Sequence, residues 1–182
     1  MKKQIVVACL LLTLSIFSWS QDTSSTKDQT SYDRFLSKSG TMIRFQDYKM
    51  PELRGNYQTY ENRIRILTVG ADKSEYYQIV VTGKYSSVTG SISYEDMSET
   101  IKAIDLLLQA FQSDNALKPD YLENKFVTKD GVAIGYYISS KDSSWYINLD
   151  RYKSDSTVFI KDGQILKVAF YEAQKRMDIL GK

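Results

Sequence analysis

The chain has 182 residues, with 24 Lys+Arg, 22 Asp+Glu, one Cys, two Pro, nine Gly and no His; Tyr (14), Phe (7) and Trp (2) supply the aromatics. Without His there is no His-based triad, no imidazole metal site and no His pH switch. The Pro and Gly counts exclude a collagen-like or low-complexity chain, and the length suits one domain rather than two.

Residues 1–20 read as a secretory signal peptide. Lys2 and Lys3 form a basic start, residues 5–17 an apolar run, and Ser18 and Ser20 place small residues at −3 and −1 before Gln21. The run is shorter than the ~20 residues of a membrane span, which disfavours the rival reading of an uncleaved anchor. Cys9 has the flavour of a lipid-acceptor cysteine, but apolar residues continue after it to Phe17, so it reads as a small apolar residue inside the run. Cleavage after Ser20 removes two basic residues and no acid. The mature 162 residues then carry 22 of each sign and no Cys. Such a chain has no global electrostatic footprint for nucleic acid. It cannot be stapled by a disulfide and must rest on apolar burial.

Residues 21–30 contain no apolar side chain and are expected to be a disordered leader. Ser31 is expected to cap a short turn carrying Tyr32, Phe35 and Leu36, ended by Gly40. From Thr41 the period becomes two, and Met50-Pro51 breaks this first strand. Strands are predicted over 62–69, 75–82 and, more weakly, 86–92, with a turn at 70–74. Residues 93–114 form the strongest helix pattern. Ser93 is the predicted N-cap, and Glu95, Asp96 and Glu99 compensate the dipole. Met97, Ile101, Ile104, Leu108 and Phe111 make its apolar stripe. Residues 115–119 connect. Strands follow over 121–128, 132–139, 144–151 and 157–160, with Lys129-Asp130-Gly131 as a hairpin turn. Asp162 caps a last helix whose stripe is Leu166, Phe170, Ala173, Met177 and Leu180.

The two helix stripes are 69 residues apart, and the strands before them match at an offset of 70: Ile64 with Ile134, Tyr76 with Tyr146, Ile79 with Leu149. Two readings stand: a duplicated strand-rich-plus-helix unit over 41–114 and 121–181, or one α+β domain whose halves agree by chance. The expected fold is α+β, an antiparallel sheet of about seven or eight strands with two amphipathic helices on one face. The alternative is a curled, barrel-like sheet capped by a helix.

Chemistry is sparse. The one Ser-x-x-Lys, Ser24 to Lys27, sits in the leader, where no pocket activates it. There is no calcium loop, no phosphate loop and no dinucleotide fingerprint. No catalytic residue, metal ligand or cofactor is expected. The unusual feature is tyrosine. In 132–139 the apolar face leaves Tyr137 outside. In 144–151 it leaves Tyr146 outside. If Ser139 pairs with Ser144, those two rings are direct neighbours, and Tyr76 joins them through the repeat. They read either as cross-strand bracing or as a stacking platform for a sugar or peptide. The expected function is therefore an exported, non-enzymatic binding module in the periplasm or medium. Its partner would be an envelope polymer or protein, without nucleic acid and, after cleavage, without a membrane span. The rivals are an exported inhibitor or immunity protein, and a hydrolase using two carboxylates.

Overall fold

The computed structural model describes residues 29–38, 40–84, 86–150, 153 and 156–181. The predicted signal peptide with Cys9, and the leader up to residue 28 with Ser24 and Lys27, lie outside the described residues.

The leader gives way earlier than its composition implies. Thr30, not Ser31, is the N-cap of α1 (Ser31–Leu36), its Oγ1 accepting from the Asp33 N–H at 3.0 Å. Ser31 is instead tied to the far half of the chain. Its backbone N–H donates to Asp130 Oδ1 at 2.7 Å, and its hydroxyl donates to the other oxygen of the same carboxylate.

Five strands follow: β1 (Ile43–Lys49), β2 (Leu53–Arg54), β3 (Thr59–Val69), β4 (Asp72–Thr82) and β5 (Ser87–Ser93). They build an antiparallel sheet in the order β1-β3-β4-β5, with the two-residue β2 pairing onto β3. The chain passes directly from β5 into α2 (Tyr94–Leu117) and then into β6 (Tyr121–Val127), β7 (Ala133–Ser139), β8 (Ser143–Asn148) and β9 (Thr157–Ile160). These four form a second antiparallel sheet in chain order. The last helix, α3 (Gly163–Leu180), starts at the predicted cap, where Asp162 Oδ1 accepts from the Gln164 N–H at 2.9 Å.

The α+β class and antiparallel pairing are as expected. The single sheet of seven or eight strands is corrected to two sheets of five and four, and neither closes into a barrel. The 24-residue α2 separates the strand runs, so β6 starts a sheet of its own. The helices do not simply cover one face. They lie against each other; α2 also touches β4, β5, β6 and β7, and α3 touches β2 and β3.

One apolar core draws on both sheets and both long helices. The fully buried row Ile64–Tyr77–Ile92 crosses the first sheet, and the row Ile134–Ile147–Val158 crosses the second. The first two members of these rows are 70 residues apart, the third pair 66. From the helices come Met97, Ile104, Leu166, Phe170, Ala173 and Met177. Of the predicted α2 stripe, Ile101, Leu108 and Phe111 are only partly buried. Ser93 occupies the N-cap without a side-chain cap bond. Asp96, read as a surface dipole compensator, is buried against Lys129 at 3.0 Å.

Candidate functional site

The outer faces of the two sheets are treated differently. On the first, α1 lays Tyr32, Phe35 and Leu36 over Leu67, Val69 and Tyr76. Tyr32 meets Tyr76 edge-on, with centroids 5.1 Å apart. Beside this cover, Arg65 grips Asp47 with two bonds of 2.6 Å and also donates to the Tyr32 hydroxyl. That grip, foremost a hydrogen bond, holds the Asp47 carboxyl below the usual carboxylate range.

On the second sheet, alternation sends Leu122, Phe126, Ile134, Tyr136, Trp145 and Ile147 inward. Outward it sends Tyr121, Glu123 and Lys125 from β6, Tyr137 from β7, Tyr146 from β8 and Phe159 from β9. Among the described residues, no helix covers this face.

Its geometry follows from the register. Lys125, Gly135, Tyr146 and Phe159 form one row across the sheet, and Glu123, Tyr137 and Ser144 the next. Gly135 is the key small position. A Cβ there would lie 2.2 Å from the Asn124 carbonyl oxygen, so β6 and β7 approach as only glycine permits. With no side chain at 135, the Tyr146 ring spans β7, and its hydroxyl donates to Glu123 Oε1 on β6. Tyr121 donates to Glu123 Oε2 at 3.2 Å, and Lys125 lies 3.4 Å from Oε1. The Tyr146 bond, above all, keeps Glu123 below the usual carboxylate range. Burial first, then Glu123, pushes the Tyr146 hydroxyl up. Glu123 is therefore an ionised acceptor at neutral pH.

Around this clasp stand exposed rings. Tyr121 is 64% exposed, Phe159 36%, and Tyr57, from the loop between β2 and β3, 89%. The half-buried Tyr137 meets Phe159 edge-on at 6.5 Å. Its hydroxyl is raised by burial and then by the nearby Asp142 and Tyr57; the loop that carries Tyr57 is tied to β9 by the Asn56 N–H, which donates to the Phe159 carbonyl at 2.8 Å.

The three tyrosines singled out in the sequence fare differently. Tyr137 and Tyr146 do share the outer face of one hairpin. They are not directly paired, because Ile138 pairs with Ser143 and Tyr137 faces Ser144. The turn is a tight two-residue loop, closed by Ser139 N–H donating to the Asp142 carbonyl at 2.7 Å, not the expected four-residue loop. Tyr146 is 8% exposed, since its ring lies over Gly135 and its hydroxyl is spent on Glu123. Tyr76 does not join them. It belongs to the other sheet and is 2% exposed beneath α1. Tyr121, Glu123 and Phe159 were missed, although alternation within 121–127 and 157–160 already puts them on the polar side of their strands.

No group of three or more Asp, Glu, His or Cys side chains among the described residues is placed to hold a metal ion. No helix among them is long and apolar enough to cross a membrane. Comparison of the chain with protein-family models, with curated proteins and with solved structures gave no match.

Proposed function

We propose that the chain is an exported, non-enzymatic binding module that recognises a glycan through the outer face of the β6–β9 sheet. The carrying observation is the exposed group of Tyr57, Tyr121 and Phe159, with the half-buried Tyr137 among them, around an ionised Glu123. Flat rings stack on the apolar faces of sugars, while tyrosine hydroxyls and a fixed carboxylate satisfy sugar hydroxyls. Tyrosine loses little rotamer freedom on binding, which suits it to recognition. Glu123 is held by hydrogen bonds in its charged form, which supports an acceptor and not a proton donor. Export rests on the grammar of residues 1–20, and the binding partner is accordingly an envelope polymer.

The two halves fit the reading of a duplicated strand-rich-plus-helix unit over 41–114 and 121–181, with five strands in the first and four in the second. The shared spacing of Ile64–Tyr77 and Ile134–Ile147 supports it. On this reading Tyr76 and Tyr146 are counterparts. One copy's outer face is spent on α1, and the other's is left for a ligand.

The test is a glycan array probed with the full chain and with a Tyr121→Ala, Tyr137→Ala, Phe159→Ala variant. Retention on a bound glycan should fall about tenfold or more, equivalent to ~1.4 kcal/mol. Stability should change by roughly 1 kcal/mol per site at most. Unchanged retention, or no glycan bound by the native chain, overturns the reading.

A further inference from the structure

Two cavities adjoin where β2 meets the start of α3, and the wider one reaches the rim of the aromatic face at Asn56, Asp142 and Ser144. The first, of about 400 Å³, is walled by Met50, Pro51, Leu53, Ile165, Val168 and Ala169. Asn62 also lines it and is 2% exposed. Its amide nitrogen donates to the Tyr77 hydroxyl at 3.0 Å, while its Oδ1 has no partner among the described residues. A buried amide oxygen without a donor carries a desolvation cost that a bound hydroxyl relieves. The second cavity, of about 1050 Å³, shares Arg54, Gln164 and Ile165 with the first, so the two meet at those residues as the arms of a cleft. Phe111 and Trp145 line this second arm, their rings tilted at 45° with centroids 5.2 Å apart.

The charged groups facing this cleft are segregated. The wide arm carries Arg54, Lys161, Asp142 and Asp162; the apolar arm carries Glu52 and Glu172 beside the shared Arg54. Arg54 and Lys161 have no side-chain ion pair or hydrogen bond among the described residues. Asp142 and Asp162 each accept one local backbone N–H, from Ser143 at 2.8 Å and Gln164 at 2.9 Å. Two cations and two anions balance in the wide arm. The apolar arm has an apolar wall, one unpaired acceptor and acids that repel an anionic end.

We propose that this cleft binds a single-chain zwitterionic lipid. The acyl chain lies along Leu53, Ile165 and Val168. The anionic group sits on Arg54 and Lys161, and the ammonium on Asp142 and Asp162. A free hydroxyl between chain and head donates to Asn62 Oδ1. Both volumes fall in or just beyond the range of small-molecule sites, roughly 300–1,000 Å³. The site uses none of the rings of the glycan face, and neither needs the other to be occupied.

The experiment titrates the full chain calorimetrically with four probes of equal chain length, each below its micelle concentration. They are 1-myristoyl-lysophosphatidylethanolamine, myristate, tetradecyltrimethylammonium and tetradecanol. The lysolipid should bind one per chain, about tenfold or more tighter than each of the others. Arg54→Gln with Lys161→Gln should bring it down to the tetradecanol level, and Val168→Trp, at an exposed helix position, should weaken every probe. Tyr121→Ala, on the glycan face but not among the cavity walls, should leave lysolipid binding unchanged. Equal affinity for all four probes, binding only to bilayer vesicles of phosphatidylethanolamine, or no lysolipid binding overturns the proposal. If a variant fails to fold, the four-probe comparison on the native chain still decides it.

Discussion

Phe170 on α3 offers the sharpest test of the shared core. It is fully buried, flanked one turn away by Leu166 and Ala173, and its ring meets Tyr77 edge-on with centroids 5.2 Å apart. Truncation to Ala removes the ring from both the helix–helix and helix–sheet contacts. The expected cost is about 3–5 kcal/mol. Of this, the edge-on contact with Tyr77 accounts for roughly 0.5–1.5 kcal/mol. Phe170→Leu, which keeps most of the apolar volume, should therefore cost less than ~1.5 kcal/mol. Tyr171 is the internal control. It is the next residue on the same helix but 59% exposed, so Tyr171→Ala should stay within about 0.5 kcal/mol. Urea unfolding followed by circular dichroism gives all three values, with a common slope required for comparison. Since domains have only about 5–15 kcal/mol in total, the Phe170→Ala midpoint should fall visibly. Equal losses at 170 and 171 would refute the reasoning, because they would mean that α3 does not distinguish a buried from a solvated face.

The remaining predictions concern the second sheet and its charges. Tyr146→Phe removes the clasp on Glu123 and should cost roughly 1–2 kcal/mol; the Glu123 carboxyl, followed by NMR, should move back up toward its ordinary range. Gly135→Ala forces β6 and β7 apart and should destabilise by about 1–3 kcal/mol, read as a lower thermal midpoint with no gain elsewhere. Asp47, depressed by Arg65, contributes stability that is present above the ordinary carboxylate range and is lost as pH falls through its lowered value. The gap between native chain and Asp47→Asn should thus close on acidification, and being partly exposed it should not exceed about 1 kcal/mol. Intact-mass measurement of the exported protein should give a chain beginning at Gln21, and a species beginning at an acylated Cys9 would contradict it.

What could be read from the chain was what depends on local period. Of the α3 stripe, Leu166, Phe170, Ala173 and Met177 are buried as their spacing implied and Leu180 partly so, because helical period alone fixes which side chains share a face. The outward parity of Tyr137 and Tyr146 also survives, since a register shift of two residues leaves every side chain on its face. The shift itself was not legible. It depends on whether Ser140 to Ser143 forms a four-residue or a two-residue loop, and Ser139 settles that through backbone bonds that composition does not display. Nor could local pattern separate one sheet from two, or reveal the two-residue β2 that supplies Arg54 to the cleft. Asp96 misled because an acid in a first helical turn is usually explained by the dipole. It is buried and pairs with Lys129, 33 positions away, and such pairings lie beyond any window of sequence.

The bond from Ser31 to Asp130 spans 99 residues, and this separation orders the assembly of the molecule in time. A six-residue helix such as α1 is far below the length that holds together alone. The first sheet already holds it through Arg65 and Tyr76 on Tyr32, and the turn between β6 and β7 adds the grip of Asp130 on Ser31. At synthesis rates of about 5–20 residues per second, Asp130 follows Ser31 by roughly 5–20 s. The last strand of the first sheet ends at Ser93, so that sheet is complete for only the final part of the interval. The grip from Asp130 is then the contact by which α1, the cover of the first sheet, depends on the second half of the chain. Chains released before residue 130 lack that grip and hold α1 by its contacts with the first sheet alone.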